Sequence, residues 1–198
     1  MSAAAPPDAE SAGRSGRPRC DDRDVEILAA ALNALVAEGY DAMTIEGVAA
    51  RVGAGKATLY RRWRNKAELV ADAIRRHACV EIPVPDTGDI RADLGTYLRG
   101  LQASFRSIDG ALMAAFTAER IRHPELGDAF ERRFVAERRD QLRRIIEAAV
   151  QRADLPGGTD VELIIDVGPA LMVQQYVRLH GQLPEDLADR IIEQFLPR

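Results

Sequence analysis

The sequence predicts an all-α fold of about nine helices, and three observations carry that prediction. Apolar residues recur at i, i+3 and i+4 along most of the chain beyond residue 20, and no segment sustains the period-2 alternation of a strand. Aromatic residues make up only 5% of the 198 residues, while Ala, Leu, Arg and Glu abound, a mix that favours helix over sheet. The breakers Pro83, Pro85, Gly88, Gly181 and Pro184 fall between the periodic stretches.

The elements follow in order. Residues 1–20 have little to bury and read as a disordered tail. In "DDRDVEILAAALNALVAEGY", Val25, Leu28, Ala29, Leu32, Leu35 and Val36 form one stripe; Asp21, Asp22 and Asp24 suit a helix start and Gly39 a stop. Thr44 is the expected N-cap of a second helix, with Ile45, Val48, Ala49 and Val52 inward and Gly53 ending it. "GAGKATLYRRW" makes a short third helix held by Leu59 and Trp63, and Asn65 caps a fourth. "EIPVPDTGD" is the clearest break, and it divides a unit at 21–80 from a second bundle at 81–198. That bundle reads as helices over about 90–105, 110–122, a single long one over 124–153, then 160–180 and 185–196. Pro124 suits a first helical position, and Pro169, inside the next helix, predicts a kink.

Several functions find no support. No apolar run approaches the ~20 residues that cross a bilayer, so no membrane partner is expected. Cys20 and Cys79 lack CxxC spacing and fit a reducing cytoplasm. His77, His123 and His180 stand apart from any ligand spacing, so neither metal nor other cofactor is implied. An all-α enzyme has no nucleophile–base pair or paired carboxylates to build on: only Ser104 and Ser107 lie in the bundle, sixteen or more residues from His123.

Charge is what this sequence distributes unevenly. The whole chain is −4, yet 17–66 holds nine Lys/Arg against seven Asp/Glu, a surplus of two. Five of those cations lie between Lys56 and Lys66 with no acid among them. One end is therefore suited to a polyanion. Two short helices joined by "VGAG" are the right material for a helix-turn-helix, in which the second helix can lie in a major groove with its first residues at the base edges. Leu59 and Trp63 would anchor that helix, leaving Lys56, Ala57, Tyr60 and Arg61 outward; hydroxyls of Thr58 and Tyr60 suit phosphate, and Arg61 suits guanine. By contrast, "FERRFVAERRDQLRR" interleaves its arginines with Glu131, Glu137 and Asp140 and reads as a solvated face.

The stretch "TIEGVAARVGAGKATLYRRWRNKAEL", with the preceding "EGY", resembles the DNA-binding domain of TetR-type transcriptional regulators over about fifty residues. The resemblance implies phosphate contacts from Thr44, Thr58, Tyr60 and Lys66. It implies approach to the bases by Gly55, Lys56, Ala57, Tyr60 and Arg61, with Arg62 nearby. Gly55 departs from the Ser or Thr that many members carry there, Ala54 from a larger apolar residue, and Trp63 from the more usual Phe. The resemblance further implies a homodimer through the last two helices, a palindromic double-stranded DNA operator, repression, and a small-molecule ligand in the second bundle. Phe105, Met113, Phe116, Thr117, Phe134, Met172, Gln175 and Tyr176 are the candidate ligand contacts: apolar residues of the bundle, with Thr117, Gln175 and Tyr176 as polar groups near the apolar stripes. The alternative is a DNA-binding protein with a structural, chromosome-associated role and no ligand.

Overall fold

A computed structural model describes residues 22–78 and 81–196. The expected tail and both cysteines lie outside them. Among the described residues all regular structure is helical. Helix α1 (Asp22–Ala42) opens on Asp22 and Asp24 and is interrupted at Gly39, whose φ of 78° and ψ of 167° no helix contains. Its buried stripe is Ile27, Leu28, Ala31, Leu32, Ala34 and Leu35. Val25, Ala29 and Val36, expected inward, are exposed, because the buried face runs instead through those residues. Helix α2 (Ile45–Arg51) starts as expected: the Thr44 hydroxyl oxygen accepts the Gly47 N–H at 2.9 Å. Gly53, at φ 60°, makes the turn into α3 (Lys56–Arg62). Ahead of α4 (Lys66–His77), Asn65 accepts from Glu68 N–H at 2.9 Å, while the Glu68 carboxylate accepts Arg64 N–H at 3.1 Å. This reciprocal closure is a variant of the capping box and fixes the angle between α3 and α4.

The second half begins with α5 (Ile90–Arg106), capped by Asp89, and α6 (Gly110–Arg122), capped by Asp109. The single long helix expected after Pro124 is instead α7 (Pro124–Phe130), a π-helical turn (Glu131–Val135) and α8 (Ala136–Gln151). The three run on as one rod, so the count among the described residues is nine. Helix α9 (Val161–Arg178), capped by Asp160, stays helical through Pro169, and α10 (Leu187–Phe195) ends the described chain.

Burial gathers into two cores. One, around α1–α4, does not stop at the 81–89 connection: Ile108, Leu112, Phe116, Leu126, Ala129 and Phe130 of the second half belong to it. The other joins α5, α8, α9 and α10. Each fully buried Leu or Phe in the shared part stabilises by about 1.5–3 kcal/mol, so the two halves are packed together and not merely tethered. The arginine-rich stretch is also more than a solvated face. Arg139 pairs with Glu162 and Asp166 of α9, Arg143 with Glu162, and Arg133 with Glu68 and Asp72 of α4. Their partners are distant in sequence, so helix-pair spacing could not disclose them.

Candidate functional site

Helix α3 is held by its inner side. Leu59 is fully buried, Trp63 is buried at its end, and the Trp63 indole N–H donates to Asp72 at 2.9 Å. The opposite side is open: Gly55, Lys56, Ala57, Tyr60 and Arg61 are exposed, and Thr58 is half-buried. Gly55 is the N-cap and supplies no side-chain acceptor; its carbonyl accepts the Thr58 N–H at 2.9 Å. Thr44 is exposed at the start of α2; its oxygen is used in capping, and its O–H remains a donor.

The structure adds a carboxylate here. Tyr60 donates its hydroxyl to Glu46 Oε1 at 3.0 Å, and the Lys56 ammonium lies 3.9 Å from the same oxygen. Its own backbone N–H, then the Tyr60 hydroxyl, holds the Glu46 carboxyl below its ordinary value. The Tyr60 phenol is pushed up, chiefly by that hydrogen bond. Lys66 is half-buried, its ammonium 2.5 Å from the Tyr40 carbonyl oxygen and 4.1 Å from the Tyr40 ring centre. Arg62 is turned away from the open side: it pairs with Asp24 of α1 and braces α3 against α1.

A cavity of about 610 Å³ lies between α5, α6, the π-helical turn, α8 and α9. Of the candidate ligand contacts, Phe105, Met113, Phe116, Thr117 and Phe134 line it. Met172, Gln175 and Tyr176 do not. Met172 is wholly buried, the Tyr176 hydroxyl is taken by the Ile108 carbonyl at 2.7 Å, and Gln175 accepts from Arg178 at 2.5 Å. Phe105, which lines the cavity, also packs on the Tyr176 ring with centres 5.9 Å apart. The wall is mostly apolar but carries polar groups that periodicity did not reveal: Tyr97, Ser104, Arg120, Glu131 and Arg138. The Arg138 guanidinium stacks on Phe134 at 4.3 Å and donates to Ser104 Oγ at 3.2 Å. Burial pushes the Tyr97 phenol up to about 12, so it stays a protonated donor.

Comparison with known proteins agrees with this layout. Residues 27–73 match the profile described as bacterial regulatory proteins, tetR family, and residues 84–195 match that described as tetracyclin repressor-like, C-terminal domain. The chain belongs to the TetR family of transcriptional regulators. The regulator is 32% identical to the HTH-type transcriptional regulator YdeS of Bacillus subtilis over 154 residues, 78% of each chain. It is 31% identical to the DNA-binding transcriptional repressor TetR of Mycobacteroides abscessus, over 90% of this chain and 94% of that one. Among solved structures, the flavonoid-responsive regulator FrrA superposes with a TM-score of 0.64 at 22% identity, covering 87% of this chain and 92% of its own. That likeness speaks to fold. Among the described residues of the regulator, no helix is long and apolar enough to cross a membrane.

Proposed function

We propose that the regulator is a cytoplasmic homodimeric repressor that binds a palindromic operator and is released by a small molecule seated in the bundle cavity. One observation carries the reading: the exposed outer side of α3, with Lys56, Ala57, Tyr60 and Arg61 outward and Leu59 and Trp63 locked inside. Thr44, Thr58, Tyr60 and Lys66 then meet phosphates, and Gly55, Lys56, Ala57, Tyr60 and Arg61 approach the bases. Arg62 positions α3 through Asp24. The repressor of Mycobacteroides abscessus supports the sign of regulation, and the ligand response named for FrrA supports the use of the cavity.

Dimerisation follows from what α9 and α10 leave uncovered. Leu163 and Val177 on α9 and Phe195 on α10 are 61%, 58% and 56% exposed, an apolar set that a second copy would bury. Two α3 helices then reach successive major grooves about 34–36 Å apart.

The test is selection of bound duplexes from a random pool, followed by titration against salt. A single inverted repeat is expected; many unrelated sequences would favour a chromosome-associated role. On the selected duplex, Lys66→Ala flattens the log–log salt slope by about one unit and weakens all duplexes alike. Arg61→Ala relaxes the preference at one position, at a cost of about 1–3 kcal/mol. If both variants bind selected and random duplexes like the parent, the assigned surface is wrong.

A further inference from the structure

The end of the recognition helix is tied to the cavity wall through one arginine. Trp63 N–H donates to Asp72 Oδ2 at 2.9 Å, and Arg64 N–H donates to Glu68 Oε2 at 3.1 Å. Both carboxylates stand on α4. Arg133 reaches the same two oxygens: Nη1 donates to Asp72 Oδ2 at 2.8 Å and Nη2 to Glu68 Oε2 at 2.9 Å. Glu68 and Asp72 are each 15% exposed, so solvent screens this network less than it screens a surface pair. A guanidinium fork spans two carboxylates in one plane, which a lysine ammonium does not.

Arg133 belongs to the π-helical turn, and that turn has two faces. Glu131, Phe134 and Val135 line the cavity, while Arg133 points the other way, to α4. A π-helical turn departs from the α-helical ladder and recurs at functional sites. A small shift of helix position at such a place is a discrete change between packed arrangements, not a continuous bend.

We propose that Arg133 is a positioning residue for DNA binding, transmitting the state of the cavity wall to α3 through Glu68 and Asp72. The inference rests on the reading that cavity occupancy modulates operator binding. A group lodged against Phe134 moves the turn, Arg133 moves with it, and the shared oxygens loosen their hold on Trp63 and Arg64. Occupancy acts here only as far as it favours one arrangement of the turn over the other.

The chain has one tryptophan, so Trp63 emission reads this network directly. Thr117→Phe puts a ring into the cavity and stands in for a bound molecule. Operator affinity and Trp63 emission are measured for the parent, Thr117→Phe, Arg133→Met and the double variant, using the selected duplex. Thr117→Phe is expected to weaken operator binding about tenfold and shift the emission, a coupling of ordinary size. In the Arg133→Met background it should do neither, and Arg133→Lys should restore only part of the response. Helix content and binding to an unrelated duplex guard against loss of fold; should Thr117→Phe disturb them, Leu101→Phe fills the same cavity from α5. Equal effects of the filled cavity with and without Arg133 overturn the Arg133 link and leave cavity modulation standing. No effect of either filled cavity on the parent overturns both.

Discussion

Glu46 sets a carboxylate into the proposed DNA face, where it engages Tyr60 and Lys56 together. It orients both side chains, but it also repels phosphate and occupies the Tyr60 proton. Glu46→Gln removes the charge, so binding to random duplexes should strengthen severalfold, while preference for the selected site falls as Tyr60 and Lys56 lose their guide. Filter binding on both duplexes checks this; unchanged ratios would mean Glu46 is a bystander. The pH sign follows from the lowered Glu46 pKa. The contact contributes fully above the ordinary glutamate value of 4.5 and is lost only as pH falls through the lowered value, so Glu46 produces no step in binding near neutral pH. Neither Glu46 nor Arg133 stood out in the sequence, and distance explains why. Tyr60 is 14 residues from Glu46, and Asp72 and Glu68 are 61 and 65 from Arg133. The caps Thr44 and Asn65 were legible because their partners lie three residues away, inside the window that local chemistry defines.

The joint between α1 and α2 depends on Gly39. Its φ of 78° with ψ of 167° is a region that side-chain-bearing residues avoid, and a Cβ there would also meet Glu119 Oε1 at 3.4 Å. Gly39→Ala should therefore cost about 1–3 kcal/mol, from backbone strain alone. The lowered melting temperature should appear in a calorimetric scan, and an unchanged one would show that the joint relaxes freely. Gly39 was readable as a stop, since glycine after a periodic stretch has that meaning. The π-helical turn was not. One residue beyond the α-helical ladder changes the apolar period over Glu131–Val135 too little to register. The bundle's existence was legible from period and length. The membership of its cavity was not, because a residue such as Met172 shows the same spacing whether it lines a cavity or fills a core.

Two heads bind DNA better than one only if something holds them at operator spacing. The shared core between α1–α4 and the α6–α7 region packs head and bundle against each other, so in the proposed dimer the spacing is set where two bundles meet. On α9 the outward residues Leu163 and Val177 stand fourteen apart, close to four helical turns, and share one stripe while Ile165, Met172 and Tyr176 face inward. A charge in that stripe should prevent a second copy from covering it and leave the protomer's own core intact. Val177→Asp is expected to sediment as a monomer with parental helix content. Its affinity for the full inverted repeat should fall by about 10²-fold or more, because the second head no longer acts at high effective concentration. Its affinity for an isolated half-site should be unchanged, which separates lost dimerisation from a damaged head. A Val177→Asp protein that remains dimeric and binds the full repeat like the parent would place the interface elsewhere on the bundle.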